Sequence, residues 1–264
     1  MKTQIRKIIS EILLNKRYTL YISVSALMVL IGSTSSASRL FLRIYQMKNP
    51  SRKYEFAKFA KKHLNKCHSV DYQDLLVLYL FNKSNFEKTF LELGACDGLY
   101  KSNSYYLEQN LWGGMAVEAN PLYYDALTKN RNMVVKAAVS SQDISSVNLN
   151  YEKSHVSGGS ILLEHFEKNL VVESISVPVI YIDNLIQMYL KIYPKGATYV
   201  SLDIEGGEEL LLDKIITKLN PKIISVEHNN DLQKSNALRD IMNLYSYYEV
   251  YKGLTRNESI FINL

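Results

Sequence analysis

Glu92-Leu93-Gly94-Ala95-Cys96-Asp97-Gly98 follows the apolar pair Phe90-Leu91 and precedes a stretch with helical spacing. An apolar strand, a glycine turn and a following helix make a socket for a nucleotide-like ligand. Glycine tolerates positive φ and lets the backbone approach a ligand with no Cβ in the way.

Working outward, the pattern alternates. Leu75–Phe81 reads as a helix, Thr89–Gly94 as a strand and Ser102–Leu111 as a helix. Met115–Glu118 is a second strand, Pro121 opens the next helix, and Met133–Val139 is a third strand. Val147–Tyr151 and Ser176–Ile182 are further strands, and Asp183 caps a helix to Tyr189. Strand Tyr199–Ile204, helix Glu208–Leu219, strand Lys222–Val226 and helix Gln233–Leu244 follow. Tyr247–Tyr251 and Ser259–Ile262 close the chain on a short connection, so they must pair antiparallel. The expected fold is α/β: a doubly wound, mostly parallel seven-stranded sheet with a carboxyl-terminal antiparallel hairpin, preceded by an amino-terminal hydrophobic helix.

The 264 residues allow one such domain plus an extension, and 47% hydrophobic with 22% charged residues excludes a disordered chain. The net charge of +5 hides an asymmetry: residues 1–66 carry fourteen Lys/Arg and two acids, the remainder seventeen and twenty-four. A basic arm suits an anionic surface, whereas the acidic remainder is a poor nucleic-acid binder. Two cysteines, Cys67 and Cys96, provide no disulfide framework.

Ile5, Ile8, Ile9, Ile12 and Leu13 share one helical face, and an uncharged run extends from Tyr18 to Ser38. A membrane anchor, a cleaved signal peptide and an interfacial amphipathic segment all fit this pattern. The anchor is the favoured expectation. Residues 1–38 are then an amphipathic helix and anchor, 39–66 a basic linker, and 67–264 the α/β domain. Five basic residues flank the run on each side, so charge does not orient it. The domain is expected at the membrane on its cytosolic face.

Ligands of open α/β sheets bind beyond the carboxyl ends of the strands. Acids cluster there: Glu92, Glu118, then Asp203 with Glu205, then Glu227 beside His228. Glu118 lies 24 residues after Gly94, a spacing at which an acid can take ribose hydroxyls. A dinucleotide loop would need glycine where Cys96 stands, which disfavours NAD and a pyrophosphate. The Asp203, Glu205, Glu227 and His228 set has no established metal-ligand spacing, so no metal site is expected.

Phe90 to Gly98 resembles motif I of class I S-adenosylmethionine-dependent methyltransferases, and residues 89–230 are similar to the FkbM family. Glu118-Ala119-Asn120-Pro121 resembles its "EPNP" motif, and Ser201 to Glu208 its "KIDVEGAE" signature. Ala119, Ser201 and Gly207 depart from the commoner Pro, Lys and Ala. The resemblance implies S-adenosyl-L-methionine as cofactor, held by Glu92, Gly94, Asp97, Gly98, Glu118 and Asn120, with the chain around Val139 and Ser140 bordering the adenine. It implies methyl transfer to a hydroxyl of a sugar or similar small polar acceptor. His228 is the first choice of general base and Asp203 the second, with Glu205 and Glu227 near the substrate. The expected partners are a small-molecule or glycan acceptor and a membrane through residues 1–38, with no nucleic acid. The alternatives are a non-catalytic membrane or trafficking protein keeping the fold as a binding module, and a dehydrogenase.

Overall fold

The computed structural model describes residues 59, 62–81, 85–152, 155–160, 172–250 and 257–263. The anchor expected over residues 1–38 lies outside them, as does most of the linker. Among the described residues no helix is long and apolar enough to cross a membrane.

In chain order the elements are α1 (Gln73–Phe81), β1 (Thr89–Leu93), α2 (Tyr105–Glu108), β2 (Gly113–Glu118), a 3-10 turn (Pro121–Tyr123) and α3 (Tyr124–Asn130). Then come β3 (Val134–Lys136), β4 (Ala138–Ser140), β5 (Ser146–Glu152), β6 (His155–Ser160), β7 (Val172–Tyr181) and α4 (Ile182–Ile192). The chain finishes with β8 (Tyr199–Leu202), α5 (Glu209–Leu219), β9 (Ile223–Glu227), α6 (Leu232–Leu244), β10 (Tyr248–Val250) and β11 (Glu258–Ile262).

Seven strands form one sheet in the order β10-β11-β9-β8-β1-β2-β3. The five from β9 to β3 run parallel, and β11 pairs antiparallel with both β9 and β10. The terminal hairpin is therefore as the short connection required.

Strand residues point alternately to the two faces. Leu91 and Leu93, Val200 and Leu202, Ile224 and Val226, and Phe261 pack with Ile186 of α4, Ile215 of α5 and Met242 of α6. Phe90, Tyr199, Ile223, Ile260 and Ile262 pack with Val77 and Phe81 of α1 and Leu107 of α2. Ala116 packs with Leu127 of α3. The sheet is thus wound on both faces. In α5, Leu211, Leu212, Ile215, Ile216 and Leu219 form one buried stripe, each burial contributing about 1.5–3 kcal/mol. The helix stops at Asn220, whose φ of 46° is left-handed.

Three expectations are corrected. First, the strands at 147–151 and 176–182 do not join the main sheet. They become β5 and β7 of a second, four-stranded sheet, β4-β7-β5-β6. The expected strand 133–139 divides so that β3 pairs with β2 and β4 with β7. One apolar run serves both sheets, which periodicity alone does not reveal. Second, the helix over 102–111 shrinks to Tyr105–Glu108, because left-handed Lys101 (φ 57°) and Leu111 (φ 64°) bracket it. Third, Asp183 lies inside α4, where Lys214 and Lys218 hold its carboxylate, and Tyr181 takes the N-cap position.

Candidate active site

The register lines up a row of side chains along the carboxyl edge of the main sheet. Leu93 pairs with Val117 and with Leu202, so Gly94 is flanked by Glu118 and Asp203. Leu202 pairs with Val226, which brings Glu227 next to Asp203. A cavity of about 390 Å³ opens over this edge, within the range of small-molecule sites. Gly94, Ala95 and Cys96 line it after β1, Glu118 at the end of β2, and Ala119 and Asn120 after it. Ala137, Ala138, Val139 and Leu149 give an apolar wall. Asp203 to Gly206 and Glu227 close the other side.

Backbone geometry explains the glycine at 94. Its φ is +84°, and a Cβ there would lie 1.6 Å from the Asp203 carbonyl oxygen. The β1 and β8 ends can meet this closely only without a side chain. The Gly94 and Ala95 amides both donate to the Val117 carbonyl, at 2.9 and 3.0 Å. That fixes the turn against β2.

Glu118 is buried and orders the rim. Its Oε2 accepts from the Cys96 amide at 2.7 Å and its Oε1 from the Asn120 amide at 2.7 Å. Burial pushes its carboxyl above the ordinary range despite these bonds. Each oxygen keeps further acceptor capacity for a ligand hydroxyl. Asn120 Oδ1 accepts from the Leu122 amide at 3.0 Å and starts the 3-10 turn.

Asp203 and Glu227 face each other at the ends of β8 and β9. Oxygens of Asp203, Glu205 and Glu227 lie within 4.8 Å of one another, the spacing of a cation cage as well as of a shared proton. Burial raises the Asp203 carboxyl, and burial together with the neighbouring Asp203 charge raises Glu227. Two such groups side by side favour a state in which one holds the proton. Asn229 Nδ2 donates to Glu205 at 3.0 Å and to Glu227 at 3.2 Å, holding both. Glu208 Oε1 accepts from the Gly206 amide at 3.1 Å, and its Oε2 pairs with Lys234 at 2.7 Å, which pins the turn.

Five expected site residues do not line the cavity. Glu92 shares strand parity with Phe90, so it points into the layer beneath α2 rather than over the edge. There it accepts from the Ser102 and Ser104 hydroxyls, the Asn103 amide and Arg131. Asp97 turns back on its own loop, its Oδ1 accepting from the Leu99 and Tyr100 amides at 2.9 and 2.7 Å. Gly98 makes room for Arg131, whose Cγ would be 2.6 Å from a Cβ there. His228 is buried away from the cavity, and burial lowers its imidazole pKa. Val139 lines the apolar wall but Ser140 does not.

The sequence reading missed Val70, Asp71, Tyr100, Lys101, Tyr123, Asn257 and Glu258 as cavity walls, and Arg131 as the partner of Glu92. Only the left-handed loop at 96–101 had a local signal, in Asp97 and Gly98. The others come from segments distant in sequence.

A family model described as the methyltransferase FkbM domain matches residues 92–249. The chain belongs to this family. The FkbM match spans β1 to β10 and so covers both the glycine turn and the Asp203–Glu205 turn. A search of the curated proteins finds no matching sequence. Among solved structures, an O-methyltransferase from Bacillus cereus in complex with SAH is 10% identical with a TM-score of 0.41, covering 86% of this chain and 98% of that one. The TDP-rhamnose 3'-O-methyltransferase of calicheamicin biosynthesis is 10% identical with a TM-score of 0.39, covering 94% and 98%. An rRNA methylase from Escherichia coli is 11% identical with a TM-score of 0.34, covering 97% and 98%.

Proposed function

We propose that this chain is an S-adenosylmethionine-dependent methyltransferase acting on a hydroxyl of a sugar or similar small polar acceptor. The observation that carries the reading is the convergence of Gly94 and Glu118 on one cavity across neighbouring strand ends, inside a domain of the FkbM family. The residues present fit the cofactor. Gly94 presents bare backbone to the cavity, Glu118 offers acceptors for ribose hydroxyls, and Ala119, Ala137, Ala138 and Val139 offer an apolar wall for adenine.

When bound, S-adenosylmethionine supplies an electrophilic methyl group on a sulfonium. The protein's part is to hold an acceptor oxygen in line with it and to take the hydroxyl proton as the new C–O bond forms. Asp203 takes that proton. It lines the cavity, and its raised carboxyl is a stronger base than an ordinary aspartate. Glu227 and Glu205 stand beside it to orient the acceptor. The acidic balance of the domain supports a small neutral acceptor rather than a nucleic acid.

Attachment to a membrane through residues 1–38, with the domain on the cytosolic face, belongs to the same proposal. The basic residues 1–66 support it. A tagged chain released by carbonate washing would refute it.

Calorimetry on the full chain tests the cofactor. S-adenosylmethionine should give binding heat, weakened about tenfold or more by Glu118→Ala, and NAD should give none. No heat from the unmutated chain would favour the non-catalytic module. Mass spectrometry of extracts incubated with the protein should then show a compound gaining one CH₂.

A further inference from the structure

The cavity extends beyond the segment that the family match covers. Glu258 pairs with Glu227 across β11 and β9. The row along the sheet edge therefore reads Glu118, Gly94, Asp203, Glu227, Glu258. At about 4.8 Å per strand it spans roughly 19 Å. Gly94 and Glu118 occupy one end, where the cofactor is placed. The opposite end, past Asp203, is left for the acceptor.

That end is built from both flanks of the domain. Val70 and Asp71 precede the matched residues 92–249, and Asn257 and Glu258 follow them; all four line the cavity. Gln73, 1% exposed, ties the flanks together. Its Nε2 donates to Glu258 Oε2, and its Oε1 accepts from the Asp71 amide at 3.0 Å. Asp71 and Glu258 are themselves buried, 2% and 8% exposed. This buried amide ties the Glu258 carboxyl to the backbone at Asp71 and so fixes how the two flanks sit against each other at the cavity.

We propose that Asp71 and Glu258, set by Gln73, select the methyl acceptor, admitting a neutral polyhydroxyl compound and rejecting a phosphorylated one. This rests on the methyltransferase reading and adds to it the residues that choose the substrate. Carboxyl oxygens accept hydrogen bonds from hydroxyl groups, and a carboxylate can take two neighbouring ones. The same groups beside Asp203 and Glu227 oppose a phosphate dianion. Lys101 is the one cationic side chain lining the cavity among the described residues, and it comes from the glycine-turn side.

Saturation-transfer NMR on the full chain loaded with S-adenosylhomocysteine tests this, with methyl glucoside and glucose phosphate as probes. The glucoside should bind and the phosphate should bind more weakly. Glu258→Gln and Asp71→Asn should each weaken the glucoside about tenfold and leave S-adenosylhomocysteine affinity unchanged. Two variants on opposite flanks keep the test alive if one fails to fold. Equal or tighter binding of the phosphate, no binding of the glucoside, or glucoside binding indifferent to both substitutions would overturn the assignment. A chain that takes up no S-adenosylhomocysteine would refute the methyltransferase reading itself, and the two failures are read separately.

Discussion

The Arg131 guanidinium lies 2.7 Å from the Glu92 carboxylate, with both side chains almost wholly buried. Arg131 also donates to the Ser104 hydroxyl at 2.7 Å and to Glu108, and stacks over the Phe90 ring at 5.1 Å. Its neighbour Asn130 donates to the Asp97 carbonyl at 2.8 Å. The last residue of α3 and the one after it therefore grip the glycine loop at both ends. Glu92, the first acid of the signature stretch, serves the cavity from behind.

Breaking this pair should be expensive. Arg131→Met strands the buried Glu92 and Glu108 carboxylates and should cost about 3–5 kcal/mol in urea unfolding, whereas Glu92→Gln, which leaves Arg131 paired with Glu108, should cost less. The double variant should lose less than the sum of the two, by about 0.5–3 kcal/mol of coupling. Arg131→Lys should not rescue, because a point charge cannot replace the planar fork.

Gly94→Ala should be among the most damaging single-methyl changes in the chain. The new Cβ would sit 1.6 Å from the Asp203 carbonyl oxygen at a φ of +84°. Backbone strain and overpacking together should cost about 2–5 kcal/mol, read from chemical unfolding. Cofactor binding should fall with it, because the β1 and β8 ends must separate.

Asp203 and His228 should separate cleanly. With labelled cofactor and extract, Asp203→Asn should reduce methyl transfer by about 10²–10⁴-fold while cofactor affinity persists. His228→Gln should leave both unchanged, since its ring does not reach the cavity. Loss of transfer in the histidine variant, with stability intact, would return it to the site.

Lys214 and Tyr181 hold the Asp183 carboxyl at about 2, below its ordinary value of 3.8. A carboxyl whose pKa is lower in the folded state stabilises the fold above its unfolded pKa and ceases to do so as pH falls through the folded one. Urea midpoints should therefore drop between about pH 4 and pH 2. Asp183→Asn should be less stable than the parent at neutral pH and should match it at the bottom of that window.

Much of the site can be read locally. Gly94 and Asp203 follow an apolar strand, Glu118 and Glu227 end one, and a strand's end is visible where its apolar run stops. Glu92 shows the limit of that reading. Alternation with Phe90 gives its face, but the side chain waiting there, Arg131, is 39 residues away. His228 follows Glu227 directly, yet its ring is packed away from the cavity that Glu227 lines. The second sheet was hidden for a similar reason: nothing in the run from Met133 to Val139 says that its two halves pair with different partners.

Residue order alone determined where strands stop, which side chains alternate, and hence that acids gather along one edge of a parallel sheet with an antiparallel end. These follow from local periodicity and from the reach of short connections. The tertiary structure decided which acids share a cavity and which are neutralised behind it. It placed β11 beside β9, brought Gln73 to Glu258 across 185 residues, and put Arg131 under Glu92. Such pairings depend on strand order and helix packing, in which the free energy of one segment is set by partners that its own sequence does not contain.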